Sequence, residues 1–209
     1  MHKLPVMLAS LLPLLVPAQP FAAQPAAGQG GSRSGRTVLV FLPQQFFSDD
    51  EYEPLVRHLD MAGLRVKVTA NETTPASSMS RDNQLVVKPD LALRDARVED
   101  FDGLLLVGGS GAALYWDDSL LQARCRDFDA AGKVVAAIGV APITLARAGV
   151  LAGRKATVSY DRSAIGFLKE KGCRYSFRSV VTDRNIITAQ SAEYVGPFGR
   201  ILSAAVLRN

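Results

Sequence analysis

Three continuous apolar runs most constrain the fold that this chain can adopt. They are Thr37–Leu42, Gly103–Val107 and Val134–Ile138. A strand with one solvated face alternates apolar and polar residues, whereas a strand in a parallel sheet is buried on both faces and is apolar throughout. Segments with a helical pattern separate the three runs. The sequence therefore predicts an α/β fold with a mostly parallel sheet that helices cover on both faces.

Further elements are predicted around these strands. Leu64–Ala70 alternates apolar and polar residues, which is typical of a strand nearer the sheet edge. The turn Asp183-Arg-Asn185 predicts a hairpin of Val180–Val181 with Ile186–Thr188. The remaining predictions are helices at Glu51–Met61, Ser119–Ala131, Ile143–Ala148, Ala164–Lys171 and Pro197–Leu207, short strands at Gln84–Lys88, Leu91–Leu93 and Ala156–Ser159, and a turn-rich loop at Asn71–Asp82.

The first residues have the pattern of a secretory signal peptide. Lys3 provides a positive start, and the apolar run Leu4–Val16 is too short, and too interrupted by proline, to span a membrane as a helix. Small residues place the cleavage after Ala18 or after Ala23. We therefore expect a signal peptide (1–23), a flexible linker (24–36), and one domain (37–209) that is periplasmic or secreted. No second long apolar run follows, so no stable membrane insertion is expected after signal removal.

The charge distribution is uneven along the chain. Residues 24–130 contain eleven Lys/Arg and sixteen Asp/Glu, whereas residues 131–209 contain twelve and four. A basic half attracts polyanions. The cations are scattered and lack interleaved aromatic residues, so a solvated face is expected and a nucleic-acid partner is not.

The chain offers few residues for metal or thiol chemistry. His58 is the one histidine after the signal peptide, and no Cys/His cluster has the spacing of metal ligands, so neither a metal nor another cofactor is expected. Cys125 and Cys173 are the two cysteines. A disulfide is permitted in an oxidising compartment, but nothing fixes their separation, and two unpaired, partly buried thiols are favoured.

In parallel α/β sheets the ligand crevice lies outside the carboxyl ends of the strands. The segments at these ends, FDGLLLVGGSGA and AGKVVAAIGVAPITLARAGVLAGRKAT, resemble the ThiJ/PfpI family of the class I glutamine-amidotransferase-like fold. So does VLVFLPQQFFSDDEYEPLVRHLDMAGLRVKV near the start. The resemblance covers essentially residues 37–209. It implies a three-layer α/β/α sandwich of the flavodoxin-like type and a homodimer.

The resemblance also implies a site. In the family the third strand typically ends Ala-Ile-Cys-His-Gly-Pro, with the nucleophilic cysteine on a strained elbow. Here the matching residues are Ala-Ile-Gly139-Val140-Ala141-Pro142, so Gly139 stands at the cysteine position. Gly108 and Gly109 match the glycines of the oxyanion hole, and Glu51 matches the family glutamate. Because glycine adopts positive φ without steric cost, we expect Gly139 to keep the elbow turn without the thiol.

Each of these residues also has a purely structural interpretation. Glu51 forms a capping-box pattern with Ser48, which would make it a helix-start residue alone. For Gly108 and Gly109, the structural interpretation is that they only end a strand. Tyr160, after the next strand, is expected at the rim of the crevice.

The leading functional hypothesis is a pseudoenzyme of the ThiJ/PfpI type that binds a small ligand without catalysis. Its ligand-binding residues would be Glu51, Gly108, Gly109, Gly139, Val140 and Tyr160. One alternative is a hydrolase, deglycase or hydratase in which Glu51 is the candidate catalytic residue, acting as general acid–base. Another is a structural subunit of a homo-oligomer.

Overall fold

The computed structural model of the chain describes residues 35–209. The predicted signal peptide (1–23) and the linker up to residue 34 lie outside the described residues. The first strand begins at Thr37.

The described residues form short strands, α-helices and 3-10 helices of one or two turns. The strands are β1 Thr37–Phe41, β2 Gln45–Phe47, β3 Arg65–Ala70, β4 Ala76–Ser78, β5 Val86–Val87, β6 Leu91–Ala92, β7 Gly103–Leu106, β8 Val134–Ile138, β9 Lys155–Ala156, β10 Arg174–Tyr175, β11 Val180–Asp183 and β12 Ile186–Ala189. The α-helices are α1 Asp49–Met61, α2 Ser119–Ala130, α3 Pro142–Arg147, α4 Arg162–Glu170 and α5 Val195–Arg208. The 3-10 turns are Leu93–Asp95, Val98–Asp100, Ser110–Tyr115 and Ala192–Tyr194.

Seven of the strands form the central sheet, in the order β11-β12-β8-β7-β1-β3-β6. All neighbouring pairs are parallel except β11 with β12. The three runs predicted from the sequence are β1, β7 and β8, which lie side by side at the centre and are buried along their whole length. The mostly parallel sheet is thereby confirmed, and the predicted hairpin is the antiparallel pair β11–β12 at one edge.

Helices cover both faces of this sheet. Side chains alternate along a strand, so Leu104 and Leu105 of β7 point to opposite faces. Leu104 belongs to a buried cluster with Phe128 of α2, on the face that α3 and α4 also cover. Leu105 belongs to a second cluster with Leu55 of α1 and Phe198 of α5. The predicted α/β/α sandwich is therefore confirmed. Within residues 35–209, no helix combines the length and apolarity that crossing a membrane requires.

Some short elements differ from the sequence predictions. The loop predicted at Asn71–Asp82 contains β4, which pairs with β2 and with β5 in a separate three-stranded sheet. The strand predicted at Ala156–Ser159 is Lys155–Ala156 instead. Strands of two or three residues are too short to show a period of apolar residues, and their formation depends on partners that tertiary structure brings to them.

The segment that enters α1 is anchored by an aromatic side chain. Phe47 at the end of β2 is fully buried in the α1–α5 cluster. Its ring meets the Tyr52 ring of α1 edge to face, with 5.6 Å between centroids. The start of α1 is therefore fixed by packing as well as by its backbone.

Replacing this anchor should destabilise the whole domain. We expect Phe47→Ala to lower the free energy of unfolding by about 3–5 kcal/mol, because it leaves a cavity under α1. The matched control is Phe177→Ala, since Phe177 is 71% exposed and its loss should cost no more than about 1 kcal/mol. Urea denaturation followed by circular dichroism measures both values. Equal losses would show that Phe47 does not hold the start of α1.

Candidate functional site

The carboxyl ends of β1, β7 and β8 lie next to one another because the three strands are parallel neighbours. The chain leaving β1 runs through β2 into α1, and it is tied to the end of β7. The backbone N–H of Ser48 donates to the carbonyl oxygen of Gly108 at 3.1 Å. This bond brings the first turn of α1 against the glycine pair that follows β7.

Glu51 lies in this first turn and is 5% exposed. Its Oε2 accepts a hydrogen bond from the backbone N–H of Gly108 at 2.8 Å. In a capping box, Glu51 would instead accept from the N–H of Ser48. That N–H is bonded to Gly108, and the Ser48 side chain makes no capping bond. The capping-box interpretation of Glu51 is therefore wrong, and the carboxylate faces the strand ends.

The second carboxylate oxygen of Glu51 is free for other partners. Within the described residues, Oε1 accepts no hydrogen bond, and it is not among the fully enclosed unpaired atoms. Burial raises the pKa of Glu51 to about 7, although the Gly108 bond opposes the shift and nearby Asp50 adds to it. Near neutral pH the protonated and ionised forms of this carboxyl group are therefore present in comparable amounts, so it can donate or accept a proton.

Gly139 forms the turn between β8 and α3. Its φ is +66°, as expected for an elbow, and residues other than glycine rarely adopt this region of φ. Its N–H donates to the Ala189 carbonyl at 3.1 Å, and its own carbonyl accepts from the Ser159 N–H at 2.8 Å. A Cβ at this position would overlap Oε1 of Glu51. The carboxylate thus occupies the space where a side chain at position 139 would begin.

Gly108 and Gly109 allow a close approach of the chain between β1 and α1. A Cβ on Gly108 would lie 2.9 Å from Glu51 Oε2 and 2.9 Å from the Ile138 carbonyl oxygen. Gly109 has φ +101°, and a Cβ there would collide with the Phe46–Ser48 backbone. Both glycines are therefore needed for packing. The Gly108 N–H is already bonded to Glu51, so it is not an open anion donor as the resemblance implies.

The other predicted site residues lie nearer the surface. Val140 is half-buried directly after the elbow, and its N atom lies 3.3 Å from the position of a Cβ on Gly108. Tyr160 follows Ser159, which is bonded to Gly139, but the tyrosine side chain is 78% exposed. It lines a separate surface depression together with residues of α4. Its role at the rim of the Glu51 site stays a prediction.

Both thiols are free and lie in apolar surroundings. Burial raises the pKa of Cys125 to about 12 and that of Cys173 to about 11. Cys125 lies in the cluster on the α2–α4 face, which is the face opposite α1. Thiolate chemistry is therefore disfavoured at both residues.

His58 lies in the last turn of α1, whereas Glu51 lies in the first. It packs against Gly199 of α5, where a Cβ added to the glycine would lie 2.8 Å from the His58 ring. Within residues 35–209, His, Cys, Asp and Glu side chains form no group of three or more suited to a metal ion.

One residue near the site was not identified from the sequence. Phe46 has φ +60°, which is strained for an aromatic residue, and its carbonyl oxygen is directed at Gly109. Its side chain is about half exposed. No sequence signal marks this conformation, because phenylalanine is common in ordinary strands.

The position of Glu51 predicts a dependence of stability on pH. Its pKa is about 4.5 when unfolded and about 7 when folded, so the folded state favours the protonated carboxyl. The stability that this provides is fully present below about pH 4.5 and is lost as pH rises through about 7. The loss is on the order of 3 kcal/mol, from 1.36 kcal/mol per pKa unit.

Urea denaturation of the wild type and Glu51→Gln across this pH range measures the effect, because other titrations cancel in the difference. We expect the wild type to lose stability relative to the variant as pH rises from about 4.5 to about 8. Parallel pH profiles would contradict a raised pKa at Glu51.

The contact between Glu51 and Gly139 predicts coupling between the two positions. Gly149→Ala is a control, since Gly149 has φ +82° and no heavy atom within 4 Å of where a Cβ would lie; it should cost about 1–2 kcal/mol. Gly139→Ala should cost about 2–5 kcal/mol, because steric overlap adds to the backbone strain. In a Glu51→Ala background the cost should fall to that of the control. An unchanged cost in both backgrounds would show that the two residues are not in contact.

Comparisons with known proteins agree with this fold. A model of the DJ-1/PfpI family matches residues 36–205. An uncharacterized protein of Methanocaldococcus jannaschii is 33% identical over 178 residues, which cover 85% of this chain and 85% of that protein. Protein/nucleic acid deglycase 2 of Escherichia coli is 27% identical over 166 residues, which cover 79% of this chain and 94% of the deglycase.

Solved structures give the same result for the fold. The crystal structure of a ThiJ/PfpI domain protein from Brachyspira murdochii superposes with a TM-score of 0.78 at 23% identity, covering 86% of this chain and 99% of that one. The resemblance identified from the strand ends is confirmed by the family match over most of the chain. The chain belongs to the DJ-1/PfpI family.

Proposed function

We propose that this chain is a member of the DJ-1/PfpI family that has lost cysteine catalysis and binds a small ligand at the Glu51 site. The site consists of Glu51, Gly108, Gly109, Gly139 and Val140. In this proposal the protein is a pseudoenzyme, and Gly139 holds the position of the family nucleophile.

The observation that carries the proposal is the contact between Glu51 and the elbow. Gly139 has the positive φ of an elbow, and the Glu51 carboxylate fills the space where a side chain there would begin. A nucleophile needs a side chain at the elbow that faces the substrate. The elbow turn is present here, but the Glu51 carboxyl group of α1 occupies the place of its side chain.

The two cysteines support the same interpretation. Both lie in apolar surroundings that raise their pKa values to about 11 or above, and neither follows a strand end of the site. A thiol with such a pKa is almost entirely protonated at neutral pH, so its nucleophilic form is scarce.

The hydrogen bonds of the site favour a neutral, hydroxyl-bearing ligand. The Gly108 N–H is bonded to Glu51, so this donor is not available to an anion. Oε1 of Glu51 is unpaired within the described residues and lies next to the Gly139 elbow. A ligand hydroxyl pairs with either form of this carboxyl, donating to the carboxylate or accepting from the protonated acid.

The alternative function is proton transfer by Glu51 in a diverged enzyme. The observation that favours it is the pKa of about 7, because a general acid–base works best when its pKa is near the operating pH. The similarity to a deglycase provides a substrate class for testing this alternative.

We also propose that the protein is exported to the periplasm or secreted. The support is the sequence pattern of Lys3, the apolar run Leu4–Val16 and the small residues around Ala23.

Binding and turnover are separated by one set of measurements on the purified protein. We expect no turnover of α-oxoaldehydes and no deglycation of a glycated protein above a heat-denatured control, and no effect of iodoacetamide on ligand binding. In amide NMR spectra, neutral dihydroxyacetone should shift the Gly108 and Gly139 signals saturably, because its hydroxyl groups pair with Glu51. Lactate should do so more weakly, because its negative charge opposes that of the ionised carboxyl.

Glu51→Gln and Glu51→Ala complete the experiment. Glu51→Ala should abolish the dihydroxyacetone shifts, since it removes the pairing group. Turnover that survives iodoacetamide but is lost in Glu51→Gln would favour the acid–base alternative. Turnover abolished by alkylation of Cys125 or Cys173 would overturn both functions.

A further inference from the structure

Two surface depressions lie away from the Glu51 site. The larger, about 450 Å³ in volume, lies at the amino ends of β1 and β3 and includes Arg65, Lys67 and Asp90. Lys67 pairs with Asp90 at 2.8 Å, and Arg65 donates to the Thr37 hydroxyl at 3.2 Å. Its polar groups are therefore already satisfied within the chain, and it offers little for ligand recognition.

The second depression, about 350 Å³ in volume, lies along α4 and is lined by Tyr160, Arg162, Ile165, Gly166 and Lys169. The four helical residues are spaced i, i+3, i+4 and i+7, so they lie on one face of α4. Gly166 has no heavy atom within 4 Å of where a Cβ would lie, so it leaves this face open at its centre. The volume is in the range of sites for small molecules.

The two cations of this depression lack acidic partners. Within residues 35–209, no carboxylate lies within 4.0 Å of the charged nitrogens of Arg162 or Lys169. The nearby acidic residues are otherwise engaged: Asp161 accepts from the Ala164 N–H at 2.9 Å, and Glu170 pairs with Lys171 at 3.2 Å. The depression is therefore positively charged, in the basic half of the chain.

Apolar and aromatic groups complete the depression. The Tyr160 side chain is 78% exposed at one end, and Ile165 lies half-buried between the two cations along the helix. An exposed ring at the edge of an apolar floor stacks on flat groups at little entropic cost, because its side chain has few rotatable bonds. The depression thus combines a site for negative charge with a site for a flat apolar group.

We propose that this depression binds a phosphate monoester of an aromatic or other flat apolar group. A phosphate monoester carries about −1.5 to −2 charges at neutral pH, which matches two cations better than a single carboxylate does. The arginine fork binds two phosphate oxygens. The Lys169 ammonium, which lies 5.8 Å from the centre of the Tyr175 ring, turns from that ring to bind as a point charge. The ring of the ester lies on Ile165 against Tyr160.

The test is isothermal titration calorimetry of the full chain with phenyl phosphate and with inorganic phosphate, at neutral pH and low salt. We expect saturable binding of phenyl phosphate, weakened at least about tenfold in Arg162→Ala/Lys169→Ala. The matched control is Arg81→Ala/Lys88→Ala, which removes two exposed cations from another surface. It should change the affinity less than about twofold, because only long-range charge is lost.

A second variant separates the aromatic contact from the charge. Tyr160→Ala should weaken phenyl phosphate binding several-fold and leave the weaker binding of inorganic phosphate unchanged. Tyr160, Arg162 and Lys169 are all exposed, so their replacement should not unfold the domain. An unchanged melting temperature confirms that each variant is folded.

Two results would overturn the proposal. One is equal weakening in the two double variants, which would indicate non-specific attraction to a basic protein. The other is no saturable binding of phenyl phosphate. If phosphatidylglycerol vesicles then bind in a way that requires Arg162 and Lys169, the ligand of the depression is a lipid surface.

Discussion

The hydrogen bond from the Gly108 N–H to Glu51 joins the three strand ends on which the site is built. It links the helix after β1 to the end of β7, and the same carboxyl group reaches the elbow at the end of β8. The bond requires glycine at 108, since a side chain there would approach the carboxylate and the Ile138 carbonyl. Phe47 fixes the start of α1 from the core side, so the carboxylate is held from two directions.

The buried carboxyl group of Glu51 lowers the stability of the domain but provides a group that can exchange a proton or bind a ligand. Burial disfavours the charged form of Glu51, and one backbone donor compensates in part. A domain that needed only stability would place an apolar side chain here. Carboxyl groups with a raised pKa in buried positions are concentrated at functional sites, which supports the proposed role of Glu51. The strained φ of Phe46 lies beside the same glycines, and such strain is concentrated at functional sites.

The sequence predicts the centre of the fold better than its edges. β1, β7 and β8 are continuous apolar runs, so burial alone identifies them, and β8 is found with its predicted limits at Val134–Ile138. β2 and β4 have no such pattern and depend on each other for pairing. The role of Glu51 stayed open between a helix cap and a site residue. That choice depends on Gly108, which is 57 residues away in sequence and is brought near by the sheet.

The missing Cβ of Gly139 also has a consequence for the mutational history of the chain. Any residue other than glycine at this turn requires the Glu51 carboxylate to leave its present position. A thiol introduced at position 139 therefore does not act independently, because its effect on folding depends on whether the Glu51 side chain can rotate away. Substitutions at Gly139 and Glu51 are therefore expected to be non-additive, so the order in which they occur changes the stability of the intermediate.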